Sequence, residues 1–195
     1  MMRDDAFYAL VTRRDGHFAL ESGHHAALWL DLDALFARPD AISPFVARLA
    51  EQLAPYAPDV ICGPLTGGAF LAQALATSMH ATFAFTERVP ASDGSALYAT
   101  RYQLPRAYAE HVRGKRAVIV DDVMSAGSSL GATHDELATL GADVVAAAAL
   151  LVLGSQGLDR FAARRIPVEA VLREPYELWP PNACPLCAQG VERTR

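Results

Sequence analysis

The segment Val118-Ile119-Val120-Asp121-Asp122-Val123-Met124-Ser125-Ala126-Gly127-Ser128-Ser129 holds the residues best suited to chemistry. A β-branched run leads into two adjacent carboxylates, and a loop of small residues follows. Ionised carboxylates only accept hydrogen bonds, so Asp121 and Asp122 suit the two vicinal hydroxyls of a ribose. Ser125, Ala126, Gly127, Ser128 and Ser129 carry no bulky side chain, so backbone N–H groups can close around an anion. A helix predicted to start near Ser128 adds its positive end. Gly127 supplies conformations that a side chain would resist. A plainer reading is a buried strand, an acidic turn and a serine cap. Asp-Asp alone or Ala-Gly-Ser alone would favour it, whereas the full order favours a sugar-phosphate cradle.

Position in the fold decides whether such residues can meet. Val118, Ile119 and Val120 lack alternation, as in a central parallel strand buried on both faces. Asp121 and Asp122 then emerge at its carboxyl end, the edge where open α/β sheets bind ligands. Upstream, Val60-Ile61-Cys62 reads as another strand, ending in Gly63-Pro64-Leu65-Thr66-Gly67-Gly68. A helix through Phe70, Leu71, Leu75 and Met79 follows. That loop is either a tight turn or a second anion cradle. Beside the first cradle in one sheet, Thr66, Gly67 and Gly68 become candidates for a second phosphate group.

The remaining pattern completes an α/β chain. Ser43 and Pro44 read as a helix start running through Phe45, Leu49 and Leu53. Strands are expected at 82–86, 143–153 and 168–172, with helices at 128–140 and 159–164. Short strands are expected near 18–20 and 28–31, with a turn at Asp15-Gly16. Residues 87–111 lack a period and contain Pro90, Asp93-Gly94 and Pro105, so they read as a long loop or flexible hairpin, a type that is usually functional. Strand–helix alternation argues a mostly parallel twisted sheet with helices on both faces.

Composition excludes several classes. The chain of 195 residues is 52% hydrophobic and 20% charged, which suits one globular α/β domain with a small subdomain. No apolar run reaches membrane-spanning length, and the first fifteen residues lack an apolar signal core, so a cytoplasmic protein with no membrane partner is expected. A net charge of −5 without a basic cluster argues against nucleic acid. Lys115 is the one lysine against sixteen arginines, which limits the choice of catalytic cation. Cys62 reads as a core residue. Cys184 and Cys187 form a Cys-x-x-Cys, half of a zinc site that two chains could complete, or a surface loop with reduced thiols. His24 and His25 show no acidic partner and are expected to be exposed.

The order of strand, paired Asp and Val-x-Ser-Ala-Gly-Ser resembles the 5-phosphoribosyl-1-pyrophosphate (PRPP) motif of the type I phosphoribosyltransferases. Gly16-His-Phe-Ala-Leu-Glu-Ser-Gly23 and the ending Leu178-Trp-Pro-Pro-Asn-Ala-Cys-Pro-Leu-Cys187 narrow the likeness to orotate phosphoribosyltransferases. The resemblance implies a PRPP-binding core at 37–154, with 87–111 a flexible loop. Residues 1–36 and 155–195 would form a hood over the base. It implies transfer of the phosphoribosyl group from PRPP to a nucleobase, orotate above all, in a homodimer. Mg²⁺ would be held mainly by PRPP, with no set of protein metal ligands. Asp121 and Asp122 would hold ribose, Val123 to Ser129 the phosphate, and Thr66, Gly67 and Gly68 the pyrophosphate. Trp29 falls at the family's base-packing aromatic; otherwise it is a half-buried Trp in a small sheet.

The chain also departs from the family pattern. Ala91 and Asp93 stand where the family's mobile loop carries Lys and His, and Glu87 would repel pyrophosphate. Gly67 replaces a pyrophosphate-contacting lysine of one branch. Gly154 and Ser155 occupy the place of the arginine that meets orotate's carboxylate. Arg88 and Arg101 are the remaining candidates to neutralise the leaving group. Two alternatives therefore stand beside orotate transfer: transfer to another base, and a non-catalytic PRPP- or nucleotide-binding regulator.

Overall fold

The structure is a computed structural model that describes residues 5–20, 22–32, 34–89 and 101–194. After a short α1 (Asp5–Tyr8), β1 (Thr12–Ala19) and β2 (His25–Asp31) form an antiparallel hairpin. Then follow α2 (Pro39–Leu53), β3 (Val60–Pro64), α3 (Gly67–Met79), β4 (Thr82–Val89), β5 (Arg101–Gln103) and α4 (Ala109–Val112). The rest is β6 (Arg116–Met124), α5 (Ser128–Thr139), β7 (Asp143–Leu153), α6 (Gln156–Ala162), β8 (Val168–Glu174) and α7 (Pro185–Ala188). The main sheet has the order β5-β4-β3-β6-β7-β8, parallel except for β5.

The unalternated strands are buried on both faces for a visible reason. Val118, Val120, Ala146 and Ala148 pack with Leu49 and Leu53 of α2 and Leu71 and Leu75 of α3. Ala117, Ile119, Ala147 and Ala149 face the other way, against Leu130 and Leu137 of α5 and Phe161 of α6. Each fully buried leucine contributes about 1.5–3 kcal/mol, so these two layers fix where β6 ends and the acidic pair begins. Cys62 is a core residue, as expected, and its burial pushes the thiol up.

Several elements differ from the sequence reading. Helix α2 starts at Pro39, and Pro44 lies inside it. Pro39 at the first position and Asp40 in the first turn are the stronger start signals. The apolar stripe Ile42, Phe45, Val46 and Leu49 then carries the helix past Pro44. Asp15-Gly16 is not the hairpin turn but lies within β1, where the register shifts between Asp15 and Phe18. The C-terminal tail crosses there, and a Cβ on Gly16 would meet the Thr194 hydroxyl. Phe70 turns outward, 49% exposed, and meets Phe36 at 5.7 Å. Residues 168–174 extend the main sheet beside β7 rather than joining the hood, because Ala170 and Val171 pack into its two faces. His25 and Cys184 are buried, not exposed, since the tail pairs with the hairpin at His25 and Trp179. Among the described residues no helix is long and apolar enough to cross a membrane.

Candidate functional site

Two loops leave the carboxyl ends of the neighbouring strands β3 and β6, and a cavity of about 440 Å³ opens above them. Asp121, Asp122, Val123, Met124, Ser125, Ala126, Gly127, Ser128 and Ser129 all line it. So do Thr66, Gly67, Arg88 and Trp29. The structure thus brings together most of the residues singled out in the sequence. Gly68 does not line the cavity but sits behind it, where a Cβ would come within 2.8 Å of Asp121 Oδ1. Arg101 is exposed opposite Val89, on the other side of the β4–β5 ribbon from Arg88 and Tyr102, and does not line the cavity. Glu87 shares that far side, across from Gln103, so the repulsion expected of it is not directed into the cavity. Ala91 and Asp93 lie outside the described residues.

The acidic pair is held tightly. Asp121 is 8% exposed, accepts the Ser129 hydroxyl at 2.7 Å and accepts the Asp122 N–H at 3.1 Å. Asp122 accepts the Val123 N–H at 2.8 Å. Burial, and then the charge of Asp122 beside it, push the Asp121 carboxyl well above its ordinary 3.8. The loop before α3 approaches closely: a Cβ on Gly67 would collide with the Asp122 carboxylate. Only glycine lets the two loops share this space, which the tight-turn reading alone does not require. Two carboxylates side by side, facing a cavity with Arg88 as its cationic wall among described residues, fit a ligand that brings hydroxyls and a cation.

The cradle is braced from behind by residues the sequence reading missed. Gly127 adopts φ +67 as the residue capping α5, so the loop turns directly into the helix. The first backbone N–H groups of that helix, at Ser128, Ser129 and Leu130, have no intrahelical acceptor and form its positive end. Gly157 donates its N–H to the Ser125 carbonyl at 2.9 Å, and Arg160 Nε donates to the Ala126 carbonyl at 3.0 Å. A Cβ on Gly157 would come within 2.7 Å of that Ser125 oxygen. Nothing in local spacing marks either residue; α6 is brought to the loop only by tertiary packing.

The far end of the cavity belongs to the hairpin and the tail. Leu20, Ser22, Trp29, Leu30, Leu153 and Tyr176 line it. Trp29 is 37% exposed and tilts against Phe18 at 6.0 Å, leaving an aromatic face available to a flat ring. Tyr176 donates its hydroxyl to the Leu28 carbonyl at 2.6 Å, and burial pushes its phenol up to about 12. Gly154 follows β7 with φ +69, and the Tyr176 backbone crosses where its side chain would be, so no long cation fits at that point. Among the described lining residues this end carries no charge.

Comparison with known proteins places this geometry. Residues 31–171 match the family described as phosphoribosyl transferase domain. An orotate phosphoribosyltransferase of Heliobacterium modesticaldum is 31% identical over 182 residues, covering 90% of this chain and 86% of that protein. One from Caldanaerobacter subterraneus is 28% identical over 187 residues, covering 96% and 91%. The crystal structure of orotate phosphoribosyltransferase from Aeropyrum pernix superposes with a TM-score of 0.66 at 22% identity, covering 85% of this chain and 88% of that one, and shows the shared fold.

Proposed function

We propose that this chain, which belongs to the phosphoribosyltransferase family, transfers the 5-phosphoribosyl group of PRPP to orotate, giving orotidine 5'-monophosphate and pyrophosphate. The observation that carries the reading is the meeting of two glycine-bearing loops at an acidic pair, on adjacent parallel strands, above one cavity. The 5'-phosphate sits in the Val123–Ser129 cradle at the start of α5. Asp121 and Asp122 accept the ribose hydroxyls. Thr66, Gly67 and the backbone ahead of Gly68 face pyrophosphate, with Arg88 of the adjacent β4 also in the cavity lining. The base lies against Trp29.

Chemistry follows from this placement. The bond from C1' to the pyrophosphate oxygen breaks, and its electron pair leaves with pyrophosphate. Positive charge spreads over C1' and the ring oxygen, as in glycosyl transfer. A base nitrogen then bonds to C1'. Asp121 and Asp122 hold the ribose still and place negative charge near the electron-poor ring. Arg88 holds charge on the departing group without needing to give up a proton. Mg²⁺ would be held mainly by PRPP, with Asp121 and Asp122 as the carboxylates available to it, and would supply charge neutralisation. The hairpin and the tail after Glu174 exclude water from the base end.

The identity of more than 30% across nearly all of the chain supports orotate as the base. A second reading, transfer to a base without a carboxylate, rests on the uncharged far end of the cavity. The apolar groove between α2 and α3, lined by Phe36, Ile42, Val46 and Phe70, supports a homodimer as part of the proposal. The test is to mix the protein with PRPP and Mg²⁺, add orotate or each of a panel of bases, and follow pyrophosphate. Release with orotate supports the first reading. Release only with a neutral base supports the second, and PRPP binding with no release from any base overturns both.

A further inference from the structure

We propose that His17, His25, Cys184 and Cys187 form a structural zinc site within one chain, clamping the β1–β2 hairpin to the C-terminal tail. The four ligand atoms all lie within 4.8 Å of one another. His17 Nε2 is 3.5 Å from Cys184 Sγ and 3.6 Å from Cys187 Sγ, and His25 Nδ1 is 3.3 Å from Cys187 Sγ. A tetrahedron with Zn–N near 2.0–2.1 Å and Zn–S near 2.3 Å has N···S edges of about 3.5 Å. The two nitrogens stand 2.9 Å apart. The arrangement therefore has nearly the size of a closed four-coordinate centre.

The hydrogen bonds around the cluster point the same way. His17 Nδ1 lies 2.8 Å from the Val191 carbonyl, which can only accept, so Nδ1 carries the proton and Nε2 the lone pair. That single lone pair faces three close neighbours at once, two thiols and an imidazole nitrogen. One lone pair accepts well from one donor only, whereas one cation at the centre meets all four ligand atoms at once. His17, His25 and Cys184 are buried, and Cys187 opens to solvent, which gives an ion a route in. Cys-x-x-Cys has the ligand spacing of a zinc knuckle, and mixed thiolate and imidazole ligands select zinc over magnesium or calcium.

The site also answers a need of the fold. A two-stranded hairpin is marginal by itself. Here the tail crosses it through paired bonds: His25 N–H to the Trp179 carbonyl at 2.7 Å, Trp179 N–H to the His25 carbonyl at 2.9 Å, and Thr194 N–H to the His17 carbonyl at 2.7 Å. All four corners are protein atoms, so the centre has no open position for a substrate. It would hold Trp29 and Tyr176 over the cavity rather than take part in the reaction.

The test uses the full chain purified without chelator from zinc-replete medium. Elemental analysis should find one zinc per chain. The Cys184→Ser, Cys187→Ser double variant should contain none. Chelator-stripped unmutated protein, titrated with cobalt(II), should develop the visible absorption of a tetrahedral thiolate centre, saturating at one equivalent and lost on adding zinc. This arm decides even where the double variant fails to fold, and it does not depend on any activity. Zinc at background level with an unchanged cobalt spectrum overturns the proposal. So does zinc retained in the double variant, or a Cys184–Cys187 disulfide found by mass after alkylation.

Discussion

Replacing Asp121 by Asn separates ligand binding from folding. In the ligand-free protein the Asp121 carboxyl is buried beside Asp122 and its affinity for a proton is raised. An amide keeps the shape: its oxygen can accept the Asp122 N–H, and its NH₂ can donate to the Ser129 oxygen, the partners now at 3.1 and 2.7 Å. A carboxyl with a raised folded-state pKa stabilises the fold fully below its ordinary value near 3.8, and that contribution is lost as pH rises through the folded value. The variant therefore loses a pH-dependent penalty and should melt at the same temperature as the parent, or higher, at neutral pH. PRPP binding should go the other way. Each charge-assisted hydrogen bond to a ribose hydroxyl is worth about 1.5–3 kcal/mol, which is roughly tenfold to a hundredfold in affinity. For the parent, PRPP affinity should also fall on acidification, as Asp121 takes up the proton that competes with the hydroxyls. Titration calorimetry with PRPP and Mg²⁺, beside thermal melts without ligand, reads both quantities. Unchanged affinity together with a lower melting temperature would show that Asp121 is a packing residue, and the site assignment would fail.

Three further outcomes test the surrounding machinery. Gly157→Ala places a methyl within 2.7 Å of the Ser125 oxygen and 2.8 Å of Met124 Cγ, so the cradle must shift; KM for PRPP should rise about tenfold, a loss near 1.4 kcal/mol, with KM for the base nearly constant in steady-state assays. Arg88→Ala should lower kcat about a hundredfold or more, as for loss of one transition-state contact, while Arg101→Ala, on the far side of the ribbon, should stay close to the parent; equal losses would contradict the placement. Phe70→Glu puts a charge into the exposed apolar groove and should convert a dimer to monomers by sedimentation velocity, with no change in the monomer's melting behaviour if Phe70 serves only the interface.

The cradle was legible because its signal is local. Asp121 to Ser129 are contiguous, and the strand that leads into them announces its burial by lacking alternation. Pro39 and Pro44 show the limit of local rules: both could start a helix, and the stripe Ile42–Leu49 decided between them. Arg160 and Gly157 were invisible because they act on the cradle through a helix more than thirty positions downstream in the chain. His17 and Cys184 lie 167 positions apart, and only the pairing of tail and hairpin makes them neighbours. The same pairing explains why His25 is buried, although nothing beside it in sequence would satisfy its ring.

The two ends of the cavity rest on different parts of the chain, and this separates their energetics. In the proposed reading phosphate and ribose would be met by β3, β6 and α5, whose residues belong to the two packed faces of the main sheet. In that reading the base would lie against Trp29, on a hairpin whose buried Phe18 and Ala26 belong to neither packed face, although Leu30 and Tyr176 beside it do pack against the α2–α3 face. Loosening the hairpin should therefore weaken base binding and leave PRPP binding almost intact. Cys184→Ser with Cys187→Ser is the cleanest way to loosen it, because neither cysteine lines the cavity. KM for the base should rise severalfold while calorimetric PRPP affinity holds steady. A matched loss of both would mean that the hood and the core unfold as one unit, and that the base end is not independently anchored.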